Sequence, residues 1–308
     1  MKPTHIKIVS SGKYVPKKIL TNDDLEKMVD TSDDWITSRT GIKERRIAAN
    51  DEYASDMAYL AAKKAIDKNG CDVNSIDLII VASITGKQMT PSVANRVQKK
   101  LGIKSCMSFD VNAACTGFIY ALEVASSLLE TSKYKKALVI GAEKLSSVLD
   151  YTDRNTCILF GDGAGAVLIE KDNDYQSFFY NQAKADETDA LTVSNYIKMD
   201  GRKVFLFAVD AIKKSMIEIT KRANLSLDAI DRIVPHQANL RIIQSVSKSM
   251  DIDMNKFVIN LDKYGNTSAA SIPIALDEYL EKGLKDKYII LVGFGGGFTW
   301  GSALLQLQ

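Results

Sequence analysis

Runs such as DLIIVAS (77–83), KALVIGA (136–142), AGAVLIE (164–170) and YIILVGF (288–294) are almost wholly apolar and end in turn residues. Continuous apolar runs of strand length point to strands buried on both faces. Between them, apolar residues recur at helical spacing in 54–70, 117–132, 204–225 and 272–284. Strands alternating with amphipathic helices predict an α/β protein whose sheets are covered on both sides.

The same order of elements occurs twice. In the first half, helix 54–70 leads to strand 77–83, a helix (PSVANRVQKKLG), the strand MSFDV, Cys115 at a helix start, and strand 136–142. In the second half, helix 204–225 leads to the strand DRIVPHQ, a helix (ANLRIIQSVSKSM), the strand KFVINL, Asn266 before a helix, and strand 288–294. The interval from Cys115 to Gly141 equals that from Asn266 to Gly293 within one position. Two similar halves, 1–170 and 171–308, each with its own sheet, are therefore expected. A pseudo-twofold pairing of them would bring Cys115, His236 and Asn266 to one junction.

Charge narrows the function. The 308 residues carry 40 basic and 38 acidic side chains, a formal net charge of +2. That balance argues against a nucleic-acid partner, which demands a basic excess. Cys71, Cys106, Cys115 and Cys157 form no CxxC pair or Cys/His cluster, so neither a metal site nor a disulfide framework is indicated. Scattered thiols suit a reducing cytosol, and MKPTHIKIVSSGKYVP lacks the apolar core of a signal peptide, so a cytoplasmic protein is expected. Residues 288–308 are uncharged, but their glycines read as strand, turn, strand rather than a membrane span.

Three residues carry candidate chemistry. Cys115 follows a strand and opens a helix, where unpaired N–H groups and the helix dipole favour a thiolate; a buried core thiol is the plain alternative. His236 stands at a strand's carboxyl end, where α/β sites gather, though alone it reads as a turn residue. Gly265-Asn266 reads first as a turn, with Thr267 and Ser268 available to cap the next helix. GFGGGFTWG (293–301) allows close backbone approach to a ligand and exposed N–H donors. FGDGAGA (160–166) lacks the residues and element order of a nucleotide loop.

Taken together, DTSDDWITSRTGIKERR, NAACTGF, TDRNT, FGDGAGA, VPHQANLRI, YGNTSAAS and GFGGGFTWGSAL resemble the β-ketoacyl-(acyl carrier protein) synthase III family of the thiolase superfamily, in that family's order. The resemblance implies a thiolase-like fold, two α/β halves in five αβαβα layers. It implies that Cys115 takes an acyl group from acyl-CoA, a substrate rather than a cofactor. A malonyl-acyl carrier protein then decarboxylates, with His236 and Asn266 donating to its thioester oxygen. The backbone of Cys115 and Gly296 would hold the acyl oxyanion, and Phe294 would wall the site. Thr31, Trp35, Arg39, Arg154, Ala238 and Asn239 match CoA-binding positions, with Trp35 and Arg154 sandwiching the adenine. Arg241 and Lys248 match the carrier-protein docking surface. Thr90, Leu145 and Phe160 match the acyl pocket, and a homodimer is implied.

Three departures from the family pattern bear on substrate choice: Thr90 replaces a bulky aromatic, Leu206 replaces a docking lysine, and the 171–200 stretch is short. The same resemblance admits a related acyltransferase of secondary metabolism, and a non-enzymatic paralogue is disfavoured by the complete Cys-His-Asn set.

Overall fold

A computed structural model describes residues 2–308. The first half supplies strands β1 (Ile6–Tyr14), β2 (Lys18–Thr21), β3 (Glu44–Ile47), β4 (Leu78–Ala82), β5 (Met107–Val111), β6 (Lys136–Glu143) and β7 (Gly163–Lys171). Its helices are α1 (Asn22–Glu26), α2 (Asp33–Thr40), α3 (Ala54–Asn69), α4 (Val93–Leu101), α5 (Gly117–Thr131) and α6 (Arg154–Cys157). The second half supplies β8 (Ser177–Ala183), β9 (Leu191–Val193), β10 (Ile197–Met199), β11 (Arg232–Pro235), β12 (Tyr288–Gly295) and β13 (Thr299–Gln306). Its helices are α7 (Gly201–Ala223), α8 (Leu240–Met250), α9 (Leu261–Tyr264) and α10 (Ser271–Leu280).

One sheet runs β1-β7-β6-β4-β5 and the other β8-β13-β12-β11. In both, the first two pairings are antiparallel and the next is parallel. β1, β7, β6 and β4 thus each have a counterpart of the same direction in the other half, and β5 has none. β4 is buried at every position, as its unbroken apolar run requires.

The core falls into three slabs. α5 and α10 lie between the sheets, where Phe118, Leu122, Ile272 and Leu276 pack on Ile80, Val139, Val234 and Leu291. α3 and α4 cover the outer face of the first sheet, and α7 and α8 that of the second. The result is five layers, helix-sheet-helix-sheet-helix. Gly141 permits the close seam between halves: a Cβ there would stand 2.2 Å from Ala269 O.

Boundaries differ from expectation at three places. α7 begins at Gly201 because the Asp200 side chain accepts Lys203 N–H, and ends where Asn224 turns left-handed at φ 54°. α10 stops at Leu280, and the expected tail to 284 is a turn with Gly283 at φ 63°. KFVINL is not a strand. After a single bridge from Phe257 to Ile233, the Gln237 amide takes over, donating to Val258 O and accepting from Asn260 N.

Candidate active site

Cys115 lies in a tight 3-10 turn, Ala114–Thr116, between β5 and α5. Ala114 has φ 47°, which lifts the turn off the strand direction and presents the next residue at the helix start. β12 ends beside it. Gly295 runs so close that a Cβ would sit 2.8 Å from Cys115 N, so the glycine is required there.

Asn266 is pinned from both sides. Its N–H donates to Leu159 O at 2.8 Å, and its carbonyl accepts from Gly161 N at 3.0 Å. Its Oδ1 accepts Ser268 N–H at 2.8 Å, which leaves Nδ2 as the free donor. Thr267 and Ser268 make no side-chain cap to α10, contrary to expectation; Asn266 itself closes the turn. His236 follows β11, its N–H on Val292 O. Its Nδ1 lies 2.7 Å from Ser271 Oγ. Gln237 N–H already donates to that oxygen at 3.3 Å. With the hydroxyl hydrogen given to Nδ1, the ring hydrogen sits on Nε2. The Phe294 ring meets the imidazole edge-on at 5.2 Å.

Two cavities meet at Cys115. One, about 110 Å³, is shared with His236, Asn266 and Phe294 and runs past Ala238 and Asn239. It continues through Gly201, Phe205 and Asn239 to a surface hollow bearing Arg39 and Arg241. The other, about 350 Å³, is lined by Leu145, Val148, Phe160, Leu191 and Ile197, with Gly296 and Ser268 at the thiol. A thioester reaching down the first cavity would find the nucleophile at its foot and an apolar chamber behind it.

Burial dominates the electrostatics. It pushes the Cys115 thiol up to about 12, the Ser268 hydroxyl opposing and the charge of Glu143 adding to the rise. Burial thus works against the thiolate that the helix start favours. Burial also lowers His236 to about 3, so the imidazole is neutral.

Comparison with known proteins now bears on this arrangement. Residues 109–186 match the family described as 3-Oxoacyl-[acyl-carrier-protein (ACP)] synthase III, and residues 220–307 match its C-terminal counterpart. The beta-ketoacyl-[acyl-carrier-protein] synthase III of Acholeplasma laidlawii is 54% identical over 314 residues, covering 100% of both chains. The chain belongs to this family. The Geobacillus kaustophilus synthase is 48% identical over 97% of this chain and 98% of its own. The 3-oxoacyl-[acyl-carrier-protein] synthase III structure from Aquifex aeolicus superposes with a TM-score of 0.95 at 45% identity, covering 98% of this chain and 99% of that one.

The other site residues fall along the same path or outside it. The Arg154 and Arg39 guanidiniums lie 5.2 and 5.8 Å from the Trp35 ring, and Arg154 also donates to Asp30 O. Arg154 must leave that position for a base to enter between it and Trp35. The Thr31 hydroxyl is buried without a hydrogen-bond partner among the described residues. The Asn239 side chain caps α8 through Arg241 N. Arg241 and Lys248 are exposed along α8, and Leu206 stands out from α7. Leu145 and Phe160 line the larger cavity, but Thr90 does not line it within its own chain; it lies exposed beside Met89. Sequence reasoning missed Ser271 beside His236; Gly295 lies in the Gly-rich segment it singled out, and the short 171–200 stretch holds the β9–β10 hairpin that roofs the larger cavity through Leu191 and Ile197.

Proposed function

We propose that the chain catalyses a decarboxylative Claisen condensation: an acyl-CoA primer acylates Cys115, and malonyl-acyl carrier protein then extends it to a 3-ketoacyl product that initiates fatty-acid synthesis. The observation that carries this reading is Cys115 at the meeting of two cavities, with two neutral hydrogen-bond donors on the side from which thioesters enter. Loss of the malonyl carboxylate leaves negative charge on the thioester oxygen, and His236 Nε2 and Asn266 Nδ2 are preorganised donors for it. A neutral imidazole fills that role through its one ring N–H. CoA is read along Thr31, Trp35, Arg39, Arg154, Ala238 and Asn239, with the acidic carrier protein received by Arg241 and Lys248.

The working unit is read as a homodimer joined along β5, whose outer edge is unpaired in the single chain. Among the described residues no helix is long and apolar enough to cross a membrane. The test uses radiolabelled acyl-CoA and malonyl-acyl carrier protein. Label should map to Cys115 and vanish in Cys115→Ser. His236→Ala and Asn266→Ala should still take the label but lose decarboxylation by roughly 100-fold. Label on another cysteine, or normal decarboxylation in both variants, contradicts the reading.

A further inference from the structure

Glu143 ends β6 in the middle of the molecule with no exposed surface. Its carboxylate accepts from Thr85 Oγ1 at 2.6 Å, Ile84 N at 3.2 Å, Ser83 Oγ at 3.4 Å and Ser268 Oγ at 3.3 Å. No cation pairs with it among the described residues; neighbouring Lys144 turns its Nζ to Ala49 O and Glu52 O. A buried carboxylate without a counter-ion is destabilising, and its environment raises it to about 7, burial being the cause. The Ser268 hydroxyl donates to Glu143, and Ser268 lines the larger cavity together with Cys115, with its oxygen open to accept from the thiol. Ser268 is held there at φ 49° by Asn266 Oδ1, on the turn that packs against Gly141.

We infer that Ser268 and Glu143 form a proton relay that removes the Cys115 hydrogen as the sulfur attacks the acyl thioester. The inference rests on the reading of Cys115 as the acylated nucleophile. As the sulfur–carbon bond forms, the thiol hydrogen passes to Ser268 Oγ and the hydroxyl's own hydrogen passes to Glu143 Oε1. The carbonyl π pair moves onto its oxygen. On collapse, the carbon–sulfur bond to CoA breaks, its electron pair leaves on the CoA sulfur, and the proton returns through Ser268 to that thiolate. In this relay Ser268 takes the proton from the thiol, and Glu143 acts through Ser268. His236 is the weaker base, held near 3 by burial.

A relay and a mere buried charge predict opposite outcomes. Ionised Glu143 opposes the thiolate by repulsion, so as a charge alone its removal would speed Cys115. As a proton acceptor, its removal slows Cys115. The experiment follows Cys115 alkylation by iodoacetamide by mass spectrometry from pH 5.5 to 9. The wild-type rate should climb through a step near pH 7, as Glu143 ionises. Glu143→Gln and Ser268→Ala should lose that step and react roughly 100-fold more slowly at pH 8, the scale of general-base assistance. Faster alkylation in Glu143→Gln, or an unchanged profile in both variants, overturns the relay. Should Glu143→Gln fail to fold, Ser268→Ala decides alone. The rate of acylation by acyl-CoA should fall in parallel. A relay seen in alkylation with no acylation by any acyl-CoA would refute the function and leave the relay standing.

Discussion

The imidazole of His236 links chemistry to stability through its proton. Its folded value near 3 lies below the ordinary 6.5, so the unfolded chain binds the proton first as pH falls. Folding stability is therefore lost on acidification from about pH 6.5 downward, through the folded value. At pH 5 the loss relative to pH 7 is about 2 kcal/mol from this residue alone, taking 1.36 kcal/mol per unit. Glu143 acts oppositely: raised to about 7 from 4.5, it contributes stability at low pH that is lost as pH rises through 7. Between pH 7 and 5 the two contributions nearly offset each other in the wild type, so its urea midpoint should move little. His236→Asn keeps only the Glu143 contribution, and its midpoint should rise on acidification from pH 7 to 5. A midpoint in the variant that stays as flat as the wild type's would assign the acid loss elsewhere.

Among the elements, the β9–β10 hairpin and the turn carrying Val148 bound the chamber behind the thiol. Two additional buried methylenes contribute about 0.8 kcal/mol each, a preference of roughly ten-fold for butyryl- over acetyl-CoA. Val148→Phe should narrow that ratio of specificity constants toward one without lowering acetyl-CoA turnover. An unchanged ratio would show that the chain tail lies elsewhere. The apolar strands and amphipathic helices were legible in the sequence because burial on both faces leaves an unbroken run and burial on one leaves a period. KFVINL was misread because its apolar residues fit a strand while its backbone partner is the Gln237 side chain. Cys115, His236 and Asn266 were legible through repeat order and motif. Glu143 was not, because a glutamate at the end of a strand looks like a solvent boundary until the second half is laid over it. The rise of the thiol was likewise hidden: the helix start is visible in sequence, the desolvation that opposes it is not.

For the whole molecule, the unpaired β5 edge and the fully exposed Met89 predict pairing of two chains. Light scattering at micromolar concentration should give about twice the 33.9 kDa chain mass. Thr90, exposed beside Met89, should then affect primer choice across the interface. Thr90→Phe should disfavour butyryl-CoA in the dimer. An active monomer indifferent to Thr90→Phe would contradict both statements.

The shared helix layer has one more consequence. The halves join through the turn 172–176, which holds the exposed residues Asn173 and Asp174, yet α5 and α10 bury their faces against both sheets at once. A protease cutting that turn would sever the chain without opening the core. The nicked protein should elute from a sizing column unchanged and melt in one transition. Its two fragments should part only in denaturant, so continuity of the chain between them matters for assembly and little thereafter.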